Sequence, residues 1–228
     1  MVRMVREGSI TSTEALLDSL TSDAQPVCRI PRLRVALGLI LLVGSVVALL
    51  FAYSHGLRSD LGIAVANGFR FNAIGIGLLG SGLGGVIAAL AQAIPGREST
   101  ARGAVIAVLV ASAVVLLGSS FVHFVFEEAV AEQVPGPLSC FLISCGLSIV
   151  PLAALAVVAR RGVLQHPLAI ALCAALGGVA LGAFVVHLCC GADAFVHVFF
   201  GHAAAPFLGA LLLGPLLRFP LRGKPRAD

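Results

Sequence analysis

The residues with the richest chemistry fall in one stretch, Phe184–Phe200, which reads FVVHLCCGADAFVHVFF. His187, Cys189, Cys190, Asp193 and His197 lie within eleven positions, around a turn at Gly191-Ala192-Asp193 between two apolar runs. His202 follows a little deeper in the second run. Thiolate sulfur and imidazole nitrogen are ligands for zinc, copper and similar ions. Two thiols that come within reach of each other have a second option, a disulfide. The bland alternative is that cysteines in apolar runs are small fillers, and Cys145 and Cys173, deep in their runs, are read that way. H-E-x-x-H, G-x-S-x-G and Walker patterns are absent, which weakens an enzyme reading. Gly75, Gly77 and Gly80 match G-x-G-x-x-G, but they sit inside an uncharged apolar run with no strand before it, so the match is not a dinucleotide fingerprint.

The elements that must hold these residues are set by composition. The chain is 59% hydrophobic and 11% charged, against about 25% charged in soluble domains. Six long stretches lack Lys, Arg, Asp and Glu: Val35–Tyr53, Phe71–Ile94, Gly103–Phe126, Pro137–Ala159, Pro167–Cys190 and Ala194–Leu217. Each is long enough to cross a bilayer as a helix, which takes about 20 residues. The runs are continuously apolar and do not alternate, unlike barrel strands. The expected fold is an all-α membrane protein of six transmembrane helices. The first span follows 34 mostly polar residues, which a cleaved signal peptide does not.

Thirteen of the fifteen basic residues flank the spans on one side, leaving only Arg58 and Arg70 on the other. The positive-inside rule makes the basic side cytoplasmic, with both termini inside. The His187–His197 turn and Cys140, at the start of span four, then share the outer face. This divides the chain into a leader (1–34), a six-helix membrane domain (35–217) and a basic tail (218–228). The flanking charges are topology signals, so the net charge of +4 implies no direct nucleic-acid contact.

In the leader, Thr11-Ser12-Thr13-Glu14 fits a capping box. A short cytoplasmic amphipathic helix is expected from there to Leu20, with Leu16, Leu17 and Leu20 on one face and Glu14 and Asp18 away from it. Such a helix is marginal alone and gains order by docking onto a partner. In the first outer loop, Leu61–Ala66 reads as a short interfacial helix. Gly80 with Gly84, and Gly178 with Gly182, read as small-xxx-small packing faces. Pro151 should kink span four. His123 and Glu127, four apart at the end of span three, are either a metal-ligand pair or an interfacial ion pair. No span carries the paired charges of an ion pathway, which weakens a pump reading.

Laid out in this order, the chain resembles the negative-regulator-of-sigma-F (NrsF) family, six-span bacterial membrane anti-sigma factors. The likeness is carried by Thr13 to Val27, a leader ending in Pro-Val, by Ser59-Asp60-Leu61, and by Cys140 with Leu147-Ser148 and Pro151. It continues in His187 with the nearby cysteines and in the closing Gly214-Pro215-Leu216-Leu217-Arg218-Phe219. The resemblance implies a non-enzymatic protein of the bacterial inner membrane, with no fixed cofactor. Its leader would hold an extracytoplasmic-function sigma factor through Glu14, Leu16, Leu17, Asp18 and Leu20, and release it on an outside signal. That signal would be a transition or heavy metal ion, or a redox change, read at Cys140, His187, Cys189 and Cys190. The family's second cysteine follows a His directly and precedes Pro and an acid. Here His187-Leu188-Cys189-Cys190-Gly191 offers two cysteines for that one position. The competing class is a small-solute or metal transporter with a His/Cys entry site, and a third is a membrane redox enzyme, which would need a cofactor.

Overall fold

The structure is a computed structural model that describes residues 17–18, 31–120, 136–161 and 166–221, with the side chains of 118–120 and 220 left aside. Every regular element among the described residues is helical. The long helices are α1 (Leu33–His55), α3 (Phe69–Gln92), α4 (Glu98–Ser120), α5 (Pro137–Ala159) and α6 (Pro167–Cys189). A sixth long segment is composite, running from α7 (Phe195–Val198) through a π-helical stretch (Phe199–Ala203) to α8 (Ala205–Leu221). The short α2 (Leu61–Asn67) precedes α3. All six long segments are apolar and long enough to cross a membrane. They fall on the six expected spans, with ends shifted by a few residues, and α2 falls on the expected interfacial helix. Pro137 and Pro167 open α5 and α6, where the missing N–H costs nothing because no helical acceptor precedes it. Pro151 lies within α5, which stays helical on both sides of it. Leu17 and Asp18 are helical and exposed; the rest of the expected leader helix, Glu14, Leu16 and Leu20 included, lies outside the described residues, as do His123 and Glu127.

Six crossings put the start of α1 and the end of α8 at one end of the bundle, called here the terminal end. Ala36, Ile40, Leu90, Leu155, Ala159, Ile170 and Leu221 form the core there. At the opposite, far end the core holds Ile74, Leu78, Val115, Phe141, Val179, Val198 and Ala203. Helices α3 and α6 are the centre: 67% and 61% of their spanning windows are buried, against 11% for α1 and 17% for α4.

Small residues allow this centre to close. Gly85 of α3 and Gly177 of α6 meet backbone to backbone, so that a Cβ on Gly85 would lie 2.7 Å from the Gly177 Cα and 2.8 Å from the Cys173 carbonyl oxygen. Gly80 and Gly84 face Ala111 and Val108 of α4, and Gly178 and Gly182 face Leu152 and Ser144 of α5, as their spacing suggested. Gly77, the middle glycine of the G-x-G-x-x-G match, packs on Val115. Between α3 and α4 the buried Ser81 and Ser112 hydroxyls are bonded at 3.2 Å.

Helix α1 is attached differently. Only Ala36 and Ile40 are buried along it. Behind its middle lies an apolar cavity of about 200 Å³, lined by Gly44, Ser45 and Ala48 of α1 together with Leu83, Pro151 and Gly182.

The glycine contacts give a direct test. Gly85→Leu and Gly177→Leu should each lower the midpoint of thermal unfolding in detergent, because overpacking costs about 1–3 kcal/mol or more when the obstacle is backbone. Gly146→Ala, where a Cβ has nothing within 4 Å, should leave the midpoint within about 1 °C or raise it slightly, since Ala is the better helix former. Equal effects at Gly146 and Gly85 would refute the close crossing.

Candidate metal centre

At the far end four side chains from three segments converge. Cys140 stands in the first turn of α5 and is buried, with its carbonyl accepting a 2.7 Å bond from the Ser144 hydroxyl. Cys190 caps α6: its N–H donates to the Val186 carbonyl at 2.8 Å, and its own backbone is extended, turning the chain out of the helix. His197 and His202 come from α7 and the π-helical stretch and are both buried. The His197 Nε2 is 3.3 Å from the Cys140 Sγ and 3.3 Å from the Cys190 Sγ. The two sulfurs are 3.9 Å apart, with the Cys140 thiol donating toward Cys190. Including one nitrogen of His202, the four ligand atoms lie within 4.8 Å of one another.

Two local features make the convergence possible. Gly201 lets the start of α5 come close, since a Cβ there would lie 3.3 Å from the Cys140 Cβ and 3.3 Å from the Pro137 carbonyl oxygen. The π turn, closed by the Ala204 N–H on the Phe199 carbonyl at 2.7 Å, is the second. In a regular helix residues five apart point about 140° away from each other. The i to i+5 bonding of a π turn narrows that angle, and the His197 and His202 ring centroids stand 5.5 Å apart.

The donor set is the one a tetrahedral ion of zinc type takes: two sulfurs and two imidazole nitrogens. Zinc bonds of about 2.3 Å to sulfur and about 2.0–2.1 Å to nitrogen place tetrahedral S–S and S–N pairs at about 3.8 and 3.5 Å. The observed 3.9 Å and 3.3 Å lie close to those separations. His202 supplies an independent sign. It is 1% exposed, and neither ring nitrogen has a hydrogen-bond partner among the described residues. A buried imidazole left unpaired costs free energy that a ligand would recover.

Of the four residues expected to ligate, the structure brings Cys140 and Cys190 together and leaves the other two out. The His187 Nε2 instead faces the Phe71 carbonyl at 3.1 Å, and its ring stacks on Phe71 at 4.4 Å, edge-on to His202 at 5.5 Å. Cys189, still inside α6, stands outside the cluster. Of the two adjacent cysteines, Cys190 is the one that stands with Cys140. His197 and His202 were visible as ionisable residues near the turn. Their spacing of five concealed that they share a face.

Beside the cluster, Arg58 occupies the loop after α1 with its side chain 4% exposed. Its guanidinium grips Asp60 at 2.7 Å and Asp193 at 3.1 Å and reaches the Cys190 carbonyl at 3.4 Å. The hydrogen bond to Asp60 is the main cause that holds Arg58 cationic despite burial, and it holds the Asp60 carboxyl below the usual carboxylate range. Arg70 adds a bond from its Nη1 to the Asp193 carbonyl at 3.0 Å.

A family model described as negative regulator of sigma F (NrsF) matches residues 20–219 of the chain. No curated protein and no solved structure gives a significant match.

The thiol donating from Cys140 is the main cause that holds Cys190 below the usual thiol range. A thiol held far enough below that range is ionised throughout the neutral range, and its reactivity is then flat there. In a Cys189→Ser protein, the rate of Cys190 labelling by iodoacetamide should change by less than about twofold between pH 6 and pH 8, where a thiol of ordinary pKa rises about 75-fold. Peptide mass spectrometry reads the rate, and a rise of tens of fold would show a protonated Cys190.

Proposed function

The chain belongs to the negative-regulator-of-sigma-F family, and from this premise we propose a membrane-held anti-sigma factor that answers a signal at its Cys/His cluster. The leader holds an extracytoplasmic-function sigma factor on the cytoplasmic side of a bacterial inner membrane and keeps it from RNA polymerase. The far end of the bundle faces outward, as the positions of the basic residues favour.

The contact with the sigma factor is assigned to Leu16, Leu17 and Leu20 as the apolar stripe, with Glu14 and Asp18 meeting basic surface. Leu17 and Asp18, both helical and exposed, agree with a helix that presents side chains to a partner. A short helix that is marginal alone gains its order in that complex, which makes capture easy to reverse.

The signal is a soft or borderline metal ion of the zinc and cadmium class, bound by Cys140, Cys190, His197 and His202. The observation that carries this is the near-tetrahedral spacing of the Cys140, Cys190 and His197 ligand atoms beside a buried His202 with no hydrogen-bond partner among the described residues. Such an ion supplies a common anchor for α5, the α6 cap and the π turn, added to the apolar packing that already joins these segments. It shifts sigma capture only by binding the capturing and releasing states unequally. Oxidation of Cys140 and Cys190 to a disulfide, with two electrons and two protons passing to an outside oxidant, joins two of the same three segments.

Pull-down from detergent extract tests the first half: the full chain should retain a sigma factor, and a chain lacking residues 1–30 should not. Leu16→Asp with Leu20→Asp should weaken capture at least tenfold, and unchanged capture would move the interface elsewhere. For the second half, Cys140→Ser, Cys190→Ser and His202→Gln should each lose zinc-dependent release while keeping basal capture. Cys189→Ser and His187→Gln should keep both. If Cys189→Ser is the variant that loses the response, the four-residue site is wrong.

A further inference from the structure

Arg58 is the one side chain among the described residues that grips both the loop after α1 and the turn holding Cys190. Its backbone N–H donates to the Leu188 carbonyl at 3.2 Å. Its Nε and Nη2 donate to the two Asp60 oxygens, each at 2.7 Å, while Nη2 and Nη1 reach the two Asp193 oxygens at 3.1 and 3.3 Å. Nη1 also points at the carbonyl of Cys190 itself, at 3.4 Å, and the cation lies 5.3 Å from the centre of the Phe71 ring. Five donors fixed in one plane bind these acceptors as a rigid piece, which a flexible ammonium would not. A displacement of the Cys190 backbone therefore either drags Arg58 along or breaks its bonds.

Arg58 follows α1 by three residues, and α1 is fully buried only near its start and half-buried on one face beyond it. Its buried side chains, Ala36 and Ile40, are both at the terminal end, and its middle lies over the apolar cavity. The helix is thus held most firmly at its two ends, by an apolar contact beside the leader and a polar one at Arg58, with looser packing between them. A helix held in this way transmits a movement of one end to the other. The residues just before α1 are the leader.

We propose that Arg58 is a positioning residue that couples the Cys140–Cys190–His197–His202 cluster to α1, and through α1 to the leader. This rests on the sensing reading above and adds the route by which a change at the far end reaches the terminal end. In the route, Asp60 and Asp193 orient the guanidinium, the Cys190 carbonyl reports the position of the cluster, and α1 is the output.

The test uses the full chain in lipid nanodiscs, Zn²⁺ as the ion and the sigma factor recovered by the pull-down. Arg58→Gln should keep Zn²⁺ affinity and ion-free sigma capture within about threefold of the parent, yet lose at least tenfold of the ion-driven weakening of capture. Binding linkage is reciprocal, so bound sigma factor should weaken Zn²⁺ binding in the parent and not in Arg58→Gln. Arg58→Lys, which keeps the charge without the fork, should resemble Arg58→Gln. Full coupling in both variants overturns the proposal. Should Arg58→Gln fail to fold, Asp193→Asn removes one arm of the grip at a carboxylate 71% exposed, and the same loss of coupling is required of it. A second readout needs neither ion nor sigma factor: amide exchange over residues 50–57 should rise at least tenfold in Arg58→Gln and stay unchanged over 82–90. An ion that fails to weaken capture by the parent protein would defeat the sensing reading. The exchange result would then decide the role of Arg58 alone, and unchanged exchange over 50–57 would overturn it.

Discussion

The contact of Gly85 with Gly177 brings α3 and α6 together at backbone distance, and the bundle is arranged around that crossing. In a bilayer, lipid tails are as apolar as side chains, so helices gain little from burial alone and associate through close packing and a few polar bonds. Two spans that touch backbone to backbone maximise such packing. Their flanks then offer grooves to the others: α4 against Gly80 and Gly84, α5 against Gly178 and Gly182, and α8 against Val179 through Gly209. Helix α1 makes no glycine contact of this kind: a Cβ at Gly38 or Gly44 would meet nothing within 4 Å, and beyond Ile40 the helix is only half-buried.

Most of this architecture was legible before any coordinates. Uncharged runs of this length have one stable form in lipid, because only a helix satisfies all its backbone groups within the segment. The spans and the glycine faces followed, and so did Leu61–Ala66 as a short helix. The site was legible in part. Cys140 and Cys190 were marked by residue type and by their shared depth. His187 is expected to ligate through the resemblance, but it is still inside α6 and faces and stacks on Phe71, whereas Cys190 follows the helix with an extended backbone that turns it toward Cys140. His202 is marked in the sequence only as an ionisable residue within a span; that it stands beside His197 depends on the π turn, which leaves no strong mark in sequence.

The far end also shows how ionic and thiol chemistry divide the labour. Arg58 with Asp60 and Asp193 forms a polar web at the rim, where the carboxylates remain half-exposed or more and the desolvation cost stays modest. The Cys/His cluster lies inward of it, among buried side chains where an unpaired imidazole is costly. One group of contacts thus holds the turn in place while the other keeps one imidazole, His202, without a partner among the described residues. Regulators that must respond to small ligands draw on such unsatisfied sites, since a fully bonded network has nothing further to gain.

The π turn at Phe199–Ala203 amounts to one surplus residue stitched into an otherwise regular span. In a regular helix two imidazoles share a face at a spacing of four, about 40° apart, and not at a spacing of five. His197 and His202 reach each other only through the surplus residue. The cluster therefore depends on a local irregularity in the winding of the span, and not on the apolar length that lets the span cross a membrane.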